Sequence, residues 1–127
     1  MLLDCPDRIL MLDGAMGTVL QARFPGASNF ETLNLSDPDA IQAVHEAYIA
    51  AGADIIETNS FGANRISQEE YGLQDKAREM ALQAARIARK AADKAKRRVL
   101  VAGSVGPTGK SLSLASDALD PAYRKYD

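Results

Sequence analysis

The residues best suited to chemistry lie in one short stretch, Asp13 to Gly17, with the sequence DGAMG. Asp13 offers a carboxylate, and glycine lets the backbone turn sharply and approach a ligand closely. The backbone N–H groups of Gly14, Ala15 and Met16 stand at the start of a predicted helix, where such groups can converge on an anion. The stretch therefore predicts an anion site beside a carboxylate. The alternative is a tight strand-to-helix connection in which Asp13 merely caps the helix.

A second polar cluster, Glu57, Thr58, Asn59 and Ser60, follows an apolar run that begins at Ala53. Four consecutive polar side chains are more than a connection needs, and a carboxylate so close to an apolar strand needs a partner. The cluster therefore predicts a second group of site residues. For Asn59 and Ser60, turn formation and capping of the next helix remain an alternative.

Three apolar runs predict the strands that position these residues, namely Ile9–Leu12, residues 53–58 and residues 99–103. A continuous apolar run bounded by turn residues is typical of a strand buried on both faces of a parallel sheet. We expect the strand order 1-2-3, with Asp13 and Glu57 at carboxyl ends, where α/β folds place their chemistry.

Helix signals separate the predicted strands. Asp37 is a good N-cap, Pro38 suits the first helical position, and Gly52 suits the end of the same helix. Apolar residues at helical spacing predict a longer helix over residues 74–96, whereas residues 27–35 show no regular pattern. The order of elements is thus strand, helix, strand, helix, strand, which predicts an α/β fold with a parallel sheet.

Other candidate sites are weaker. His45 has no second His or Cys at ligand spacing, so we expect a packed or surface histidine rather than a metal ligand. The segment Ser104–Ser111, SVGPTGKS, lacks the first glycine of a phosphate loop and follows the third strand, which argues against a nucleotide site.

The long helix carries basic residues, but they gather towards its C-terminus, where the helix dipole favours cations, and no aromatic residues interleave with them. We therefore interpret them as a solvated face rather than a nucleic-acid site. These residues are Arg78, Arg86, Arg89, Lys90 and Lys94.

Composition excludes several classes of protein. A chain of 127 residues with 46% hydrophobic and 25% charged residues is typical of one globular domain. The net charge of −2 argues against a dedicated nucleic-acid or membrane-surface binder. No apolar run approaches the roughly 18 residues that span a bilayer, and the N-terminus has no basic start typical of a signal peptide. The single Cys5 excludes an internal disulfide and favours a cytoplasmic location.

Three segments together resemble the first part of the homocysteine S-methyltransferase domain, in the order of that family: ILMLDGAMGT, LNLSDPDAIQAVHEAYIAAGADIIETNSFGAN and VAGSVGPTG. Within the family, the chain is most similar to the N-terminal homocysteine-binding module of cobalamin-dependent methionine synthase. The resemblance implies about three strand-helix units of a (β/α)8 TIM barrel. Because a whole barrel takes about 250 residues, we expect residues 1–127 to be a partial domain, truncated before the fourth strand.

The resemblance also implies a reaction. A zinc ion held by cysteines on later strands binds homocysteine as a thiolate, which takes a methyl group to give methionine. The donor implied is methyltetrahydrofolate through cobalamin, with S-methylmethionine or betaine as alternatives. No counterpart of the zinc cysteines is present, since Cys5 precedes the first strand. We therefore assign no catalytic residue or metal ligand here, expect the zinc ligands in the missing C-terminal part, and expect the isolated chain to be inactive.

The same resemblance implies which residues of this chain would bind the amino-acid end of homocysteine. Asp13 would meet the homocysteine ammonium group, and the amides of Gly14, Ala15 and Met16 would receive its carboxylate. Two alternatives remain, a non-catalytic α/β fragment or interaction module and an independent phosphate-binding enzyme.

At the end of the second strand, Glu57, Thr58 and Asn59 match residues that line the same pocket in the family. The partners implied are therefore homocysteine and the rest of the barrel, with neither nucleic acid nor a membrane.

Overall fold

The computed structural model describes residues 8–110, which form an α/β fold with a small parallel sheet. The elements in chain order are helix α1 Met16–Arg23, a 3-10 turn Phe30–Thr32, α2 Leu33–Ser36, α3 Pro38–Ala50, strand β1 Ile55–Glu57, α4 Arg65–Glu69, a 3-10 turn Gln74–Lys76, α5 Ala77–Lys94 and strand β2 Leu100–Ala102.

The sheet has two parallel strands, and their register pairs Ile55 with Leu100 and Glu57 with Ala102. A single parallel bridge joins Leu12 to Ile55. Among the described residues, β1 therefore lies between the segment that ends at Leu12 and β2, which agrees with the predicted order of neighbours.

The predicted first strand is wrong in its extent and its burial. Ile9 is 85% exposed, Met11 58% and Leu12 52%, and a single bridge replaces the expected ladder. Burial on both faces requires a layer of structure on each face. Within residues 8–110 such layers do not cover this segment, so Ile9, Met11 and Leu12 are exposed and Leu10 is half-buried.

Helix α3 confirms the capping prediction. The Asp37 carboxylate accepts a hydrogen bond from the Ala40 N–H at 3.1 Å, Pro38 opens the helix, and Gly52 follows its end with φ of +110°. That angle favours glycine, which has no Cβ to clash with the backbone. The local signals thus placed this helix correctly.

Helix α5 covers the sheet with a face of small side chains. The predicted range of 74–96 separates into a 3-10 turn and the helix proper, which ends at Lys94. Ile56 of β1 is completely buried against this face, and the alanines allow the helix to lie close to the strands. The cluster consists of Ala53, Ile56, Ala88, Ala91, Ala92 and Val99.

A second apolar cluster lies between α1, α2, α3 and α5. Its buried members are Leu20, Leu33, Ile41, Val44 and Ile87. Residues 27–35 were predicted to be irregular, and that prediction is wrong, because a 3-10 turn and the start of α2 lie there. The partly buried ring of Tyr48 packs against both clusters.

The exposed side of α5 carries ion pairs, as expected of a solvated face. Arg89 pairs with Asp93 at 2.9 Å, and Lys94 pairs with Glu46 of α3 at 2.9 Å. Of the helices in residues 8–110, none combines the length and the apolar character that a membrane span requires.

Candidate functional site

Asp13 meets Glu57 at the carboxyl end of β1. The Asp13 N–H donates to the Ile55 carbonyl oxygen at 2.9 Å, which continues the contact made by Leu12. One oxygen of the Asp13 carboxylate accepts the Glu57 N–H at 3.0 Å. The backbone pairing thus brings together two residues that are 44 positions apart and were predicted separately as site residues.

The electrostatic setting of Asp13 favours a cationic ligand. Partial burial raises the pKa of the Asp13 carboxyl, the hydrogen bond from the Glu57 N–H lowers it, and the nearby Glu57 carboxylate raises it again. Desolvation and a neighbouring like charge both disfavour the ionised form. An ammonium group placed between the two carboxylates would relieve that repulsion.

The turn after Asp13 offers backbone donors. Gly14 and Ala15 are exposed, and α1 begins at Met16 with no side-chain cap, because its N-cap residue is Ala15. Among residues 8–110, no acceptor takes a hydrogen bond from the backbone N–H of Gly14, Ala15 or Met16. Free N–H groups at a helix start, with the positive end of the helix dipole behind them, suit a carboxylate or another anion.

Thr58 joins the ends of the two strands. Its side chain is buried, and its hydroxyl lies 2.7 Å from the Ser60 hydroxyl. The Thr58 Oγ1 also accepts the Ser104 N–H at 3.0 Å, and the Ser60 hydroxyl donates to the Ser104 carbonyl oxygen at 2.8 Å. These bonds hold the loop after β2 beside the loop after β1.

Asn59 is also buried and bonded within the protein. Its amide nitrogen donates to the Phe30 carbonyl oxygen and to Asn34 Oδ1, both at 3.0 Å, and Asn34 donates back to the Asn59 carbonyl oxygen at 2.7 Å. Capping of the next helix is carried out by Asn64 instead. The structure therefore places Thr58 and Asn59 next to Glu57 but with side-chain groups engaged in tertiary contacts.

Two residues of this region were missed by sequence reasoning. Asn34 lies in a segment without a periodic pattern, and Tyr48 lies within a helix predicted from its capping residues. The Tyr48 hydroxyl donates to the Ala15 carbonyl oxygen at 3.0 Å. Contacts between residues so far apart leave no local signal in the sequence.

The opposite end of β1 carries a different carboxylate. Asp54 is buried and accepts two hydrogen bonds from Arg8, at 2.8 and 3.2 Å, one from the Met11 N–H at 3.0 Å and one from Arg97 at 3.3 Å. The hydrogen bonds from Arg8, then the one from Met11, hold the pKa of Asp54 below its usual range. This network fastens the start of the described chain to the sheet.

A metal centre is not formed by the described residues. His45 is completely buried, and neither of its ring nitrogens has a hydrogen-bond partner within residues 8–110. Burial lowers the pKa of His45 to about 4. No group of three His, Cys, Asp or Glu side chains in that range could hold an ion, and Cys5 lies outside it.

The glycine-rich segment after β2 does not resemble a phosphate loop in its contacts either. The Lys110 ammonium group pairs with Glu70 at 3.0 Å, and the Gly106 N–H donates to the Phe61 carbonyl oxygen at 3.0 Å. Ser111, the last residue of the motif considered, lies outside the described residues.

Comparison with known proteins identifies the family. Residues 10–126 match the model of the homocysteine S-methyltransferase family. The fold is similar to two crystal structures of the homocysteine methyltransferase MmuM from Escherichia coli. For the metallated form the identity is 32% over 82% of this chain, and for the oxidized form it is 34% over 80%, each with a TM-score of 0.69.

The chain spans 40% and 38% of the length of those two MmuM chains. The family match nevertheless covers almost all of its residues, including those of the candidate site. This chain belongs to the homocysteine S-methyltransferase family.

Proposed function

We propose that residues 1–127 form the first part of a (β/α)8 barrel and carry the site for the amino-acid end of homocysteine. In the complete enzyme, a methyl group would pass to the homocysteine thiolate to give methionine. The observation that carries the proposal is the meeting of Asp13, Glu57 and the turn N–H groups at one strand end. The family match and the parallel neighbours of β1 support it.

The charges of an amino acid match this arrangement. The ammonium group would lie against the Asp13 carboxylate, with the exposed Glu57 carboxylate as a second acceptor. The α-carboxylate would accept hydrogen bonds from the N–H groups of Gly14, Ala15 and Met16. A charge-assisted contact of this kind is worth about 1.5–3 kcal/mol, so two of them would fix the orientation of the ligand.

We propose that Thr58 and Asn59 border the same pocket. Their side-chain bonds to Ser104 and Asn34 hold the wall in which Glu57 stands. In that role they support the pocket through the backbone, while Asp13, Glu57 and the turn make the charged contacts.

The activation of sulfur is a separate part of the reaction. The zinc ion of the family would need ligands from outside residues 8–110, because the described residues do not form a metal site. The methyl donor, methyltetrahydrofolate through cobalamin or alternatively S-methylmethionine or betaine, would likewise be selected by other parts of the barrel or by further modules. We therefore assign binding and orientation of the substrate to these residues.

The test is a titration of the isotope-labelled chain with L-homocysteine under reducing conditions, followed by NMR shifts of the backbone amides. We expect shifts at Gly14, Ala15 and Met16. Asp13→Asn should weaken binding by about 1–3 kcal/mol, roughly 5- to 150-fold. The control is Asp39→Asn, which removes an exposed carboxylate in the first turn of α3.

Equal affinity of Asp13→Asn and wild type would remove Asp13 from the site. The decarboxylated analogue of homocysteine tests the proposed contact between the ligand carboxylate and the turn. It keeps the ammonium group but should no longer shift the amides of the turn.

A further inference from the structure

We propose that Tyr48 is a positioning residue, which holds the turn Asp13–Met16 in the conformation that binds the substrate carboxylate. The inference rests on the proposed function and adds a residue to it. Tyr48 lies on α3, which is far along the chain from the turn, and its side chain reaches the turn in two ways.

The first contact is the hydrogen bond from the Tyr48 hydroxyl to the Ala15 carbonyl oxygen, at 3.0 Å. The Ala15 C=O and the Met16 N–H belong to one planar trans peptide, so they point in opposite directions. Holding the carbonyl oxygen towards Tyr48 therefore turns the Met16 N–H away from α3. The hydroxyl thus sets the direction of a proposed anion donor without touching the ligand.

The second contact is steric. A Cβ placed on Gly14 would lie 3.0 Å from the Tyr48 hydroxyl oxygen and 3.1 Å from the ring carbon Cε1. Gly14 does not have a positive φ, so its backbone conformation is open to other residues. The close approach to Tyr48 therefore disfavours a side chain at Gly14, because the ring would have to shift by a few tenths of an ångström, and it shows that the turn lies directly on the ring.

Tyr48 is itself held firmly. Its ring packs against the cluster around Ile56 and against the cluster around Ile41, so it cannot move aside without disturbing both. The hydrogen bonds that join this part of the chain to β1 and to the residue before it are made by Met11 and Asp13. Within residues 8–110 none of them reaches Ala15 or Met16. The ring of Tyr48 therefore fixes the part of the turn that lies beyond the contacts of the sheet.

The test compares two tyrosines that make the same kind of bond. Tyr48→Phe removes the hydroxyl at the turn, and Tyr71→Phe removes a hydroxyl that donates to the Ser28 carbonyl oxygen at 3.2 Å elsewhere. We expect Tyr48→Phe to weaken L-homocysteine binding about fivefold, the effect of one neutral hydrogen bond. In protein saturated with L-homocysteine, hydrogen exchange at the Met16 amide should also be faster in this variant than in wild type, because the bond from that amide to the ligand carboxylate is weaker. Tyr71→Phe should change neither quantity, at a similar melting temperature.

A purely structural role for the hydroxyl would lower the melting temperature of both variants without separating their affinities, and that result would overturn the inference. Wild-type protein that fails to bind L-homocysteine would refute the proposed function and this inference together, whereas binding that is equal in Tyr48→Phe and wild type would refute the inference alone.

A second variant approaches the same contact from the turn. Gly14→Ala introduces the Cβ that meets Tyr48, so it should also weaken binding. If the two residues act through one contact, the effects of Gly14→Ala and Tyr48→Phe on affinity should not add in the double variant. Additive effects would mean that Tyr48 does not position the turn.

Discussion

The two ends of β1 place a carboxylate in opposite electrostatic surroundings. Before the strand, Asp54 is buried between Arg8 and Arg97, and its pKa is lowered. After the strand, Asp13 lies beside Glu57, and burial raises its pKa. At one end the protein supplies the positive charge, and at the other end it supplies a second negative charge.

Under the proposed function, this difference assigns Asp54 to stability and Asp13 to substrate binding. A carboxylate neutralised by two arginines fixes the chain and leaves nothing for a ligand to improve. A carboxylate placed beside another one leaves an interaction that a cationic ligand can complete. Parallel α/β folds place their chemistry at the carboxyl ends of the strands, and the proposed substrate site lies at that end of β1.

The largest effect is expected at the amino end of β1. Asp54→Asn leaves Arg8 and Arg97 without their shared anion and weakens the hydrogen bonds that converge on this side chain, and bonds to a charged acceptor are the stronger ones. We expect the melting temperature to fall by roughly 10 °C. In Asp93→Asn, which breaks an exposed pair with Arg89, it should hardly change. Calorimetry of both variants checks the prediction. Similar melting temperatures of the two variants would mean that Asp54 does not stabilise the fold as proposed for the amino end of β1.

The next effect concerns pH. His45 is the chain's one histidine, and burial lowers its pKa to about 4 from an ordinary value of 6.5. Between these values the unfolded chain binds a proton that the folded chain does not, so stability falls as the pH falls. Linkage gives a loss of about 1.6 kcal/mol between pH 6.5 and pH 5.

Urea unfolding at both pH values measures this loss, and His45→Met, which has no titrating group, should show little of it. The stability supplied by Asp54 is lost only at lower pH, because its lowered pKa matters below the ordinary carboxyl range. Between pH 6.5 and pH 5 the change in stability therefore reports on His45 and not on Asp54. An equal loss in His45→Met would assign it to other groups.

The smallest effect is expected at Asp13, and its sign is reversed. A raised pKa means that ionised Asp13 reduces stability, and that this penalty is fully present above the folded-state pKa. Asp13→Asn removes the charge and keeps an acceptor for the Glu57 N–H. Its free energy of unfolding at neutral pH should equal that of wild type within about 0.5 kcal/mol or exceed it. A clear destabilisation would show that both ends of β1 serve stability.

Sequence reasoning succeeded where the signal is local. The Asp37–Pro38 start and the Gly52 end of α3 depend on neighbouring residues only, and the structure has them as predicted. The adjacency of Asp13 and Glu57 followed from parallel pairing, which needs only the order of the strands. Their roles in binding remain predictions.

Sequence reasoning failed where an outcome depends on distant partners. The apolar run Ile9–Leu12 indicated a buried strand, but burial depends on which layers cover it. For His45 the sequence left a packed and a surface position open, and the contacts that decide for the buried one come from other parts of the chain. The bonds of Asn34 and Tyr48 join residues 25 to 46 positions apart, which no short pattern encodes.

The alanine face of α5 also determines which substitutions the core can accept. Ala88 and Ala91 are 0% and 1% exposed against a strand that contributes the fully buried Ile56. Because these alanines and Ile56 pack in one buried cluster, enlarging an alanine would overpack it, whereas shortening Ile56 would leave a void. Over evolutionary time, selection should therefore disfavour larger side chains at the alanine positions of α5 and smaller side chains at Ile56, although both belong to one core.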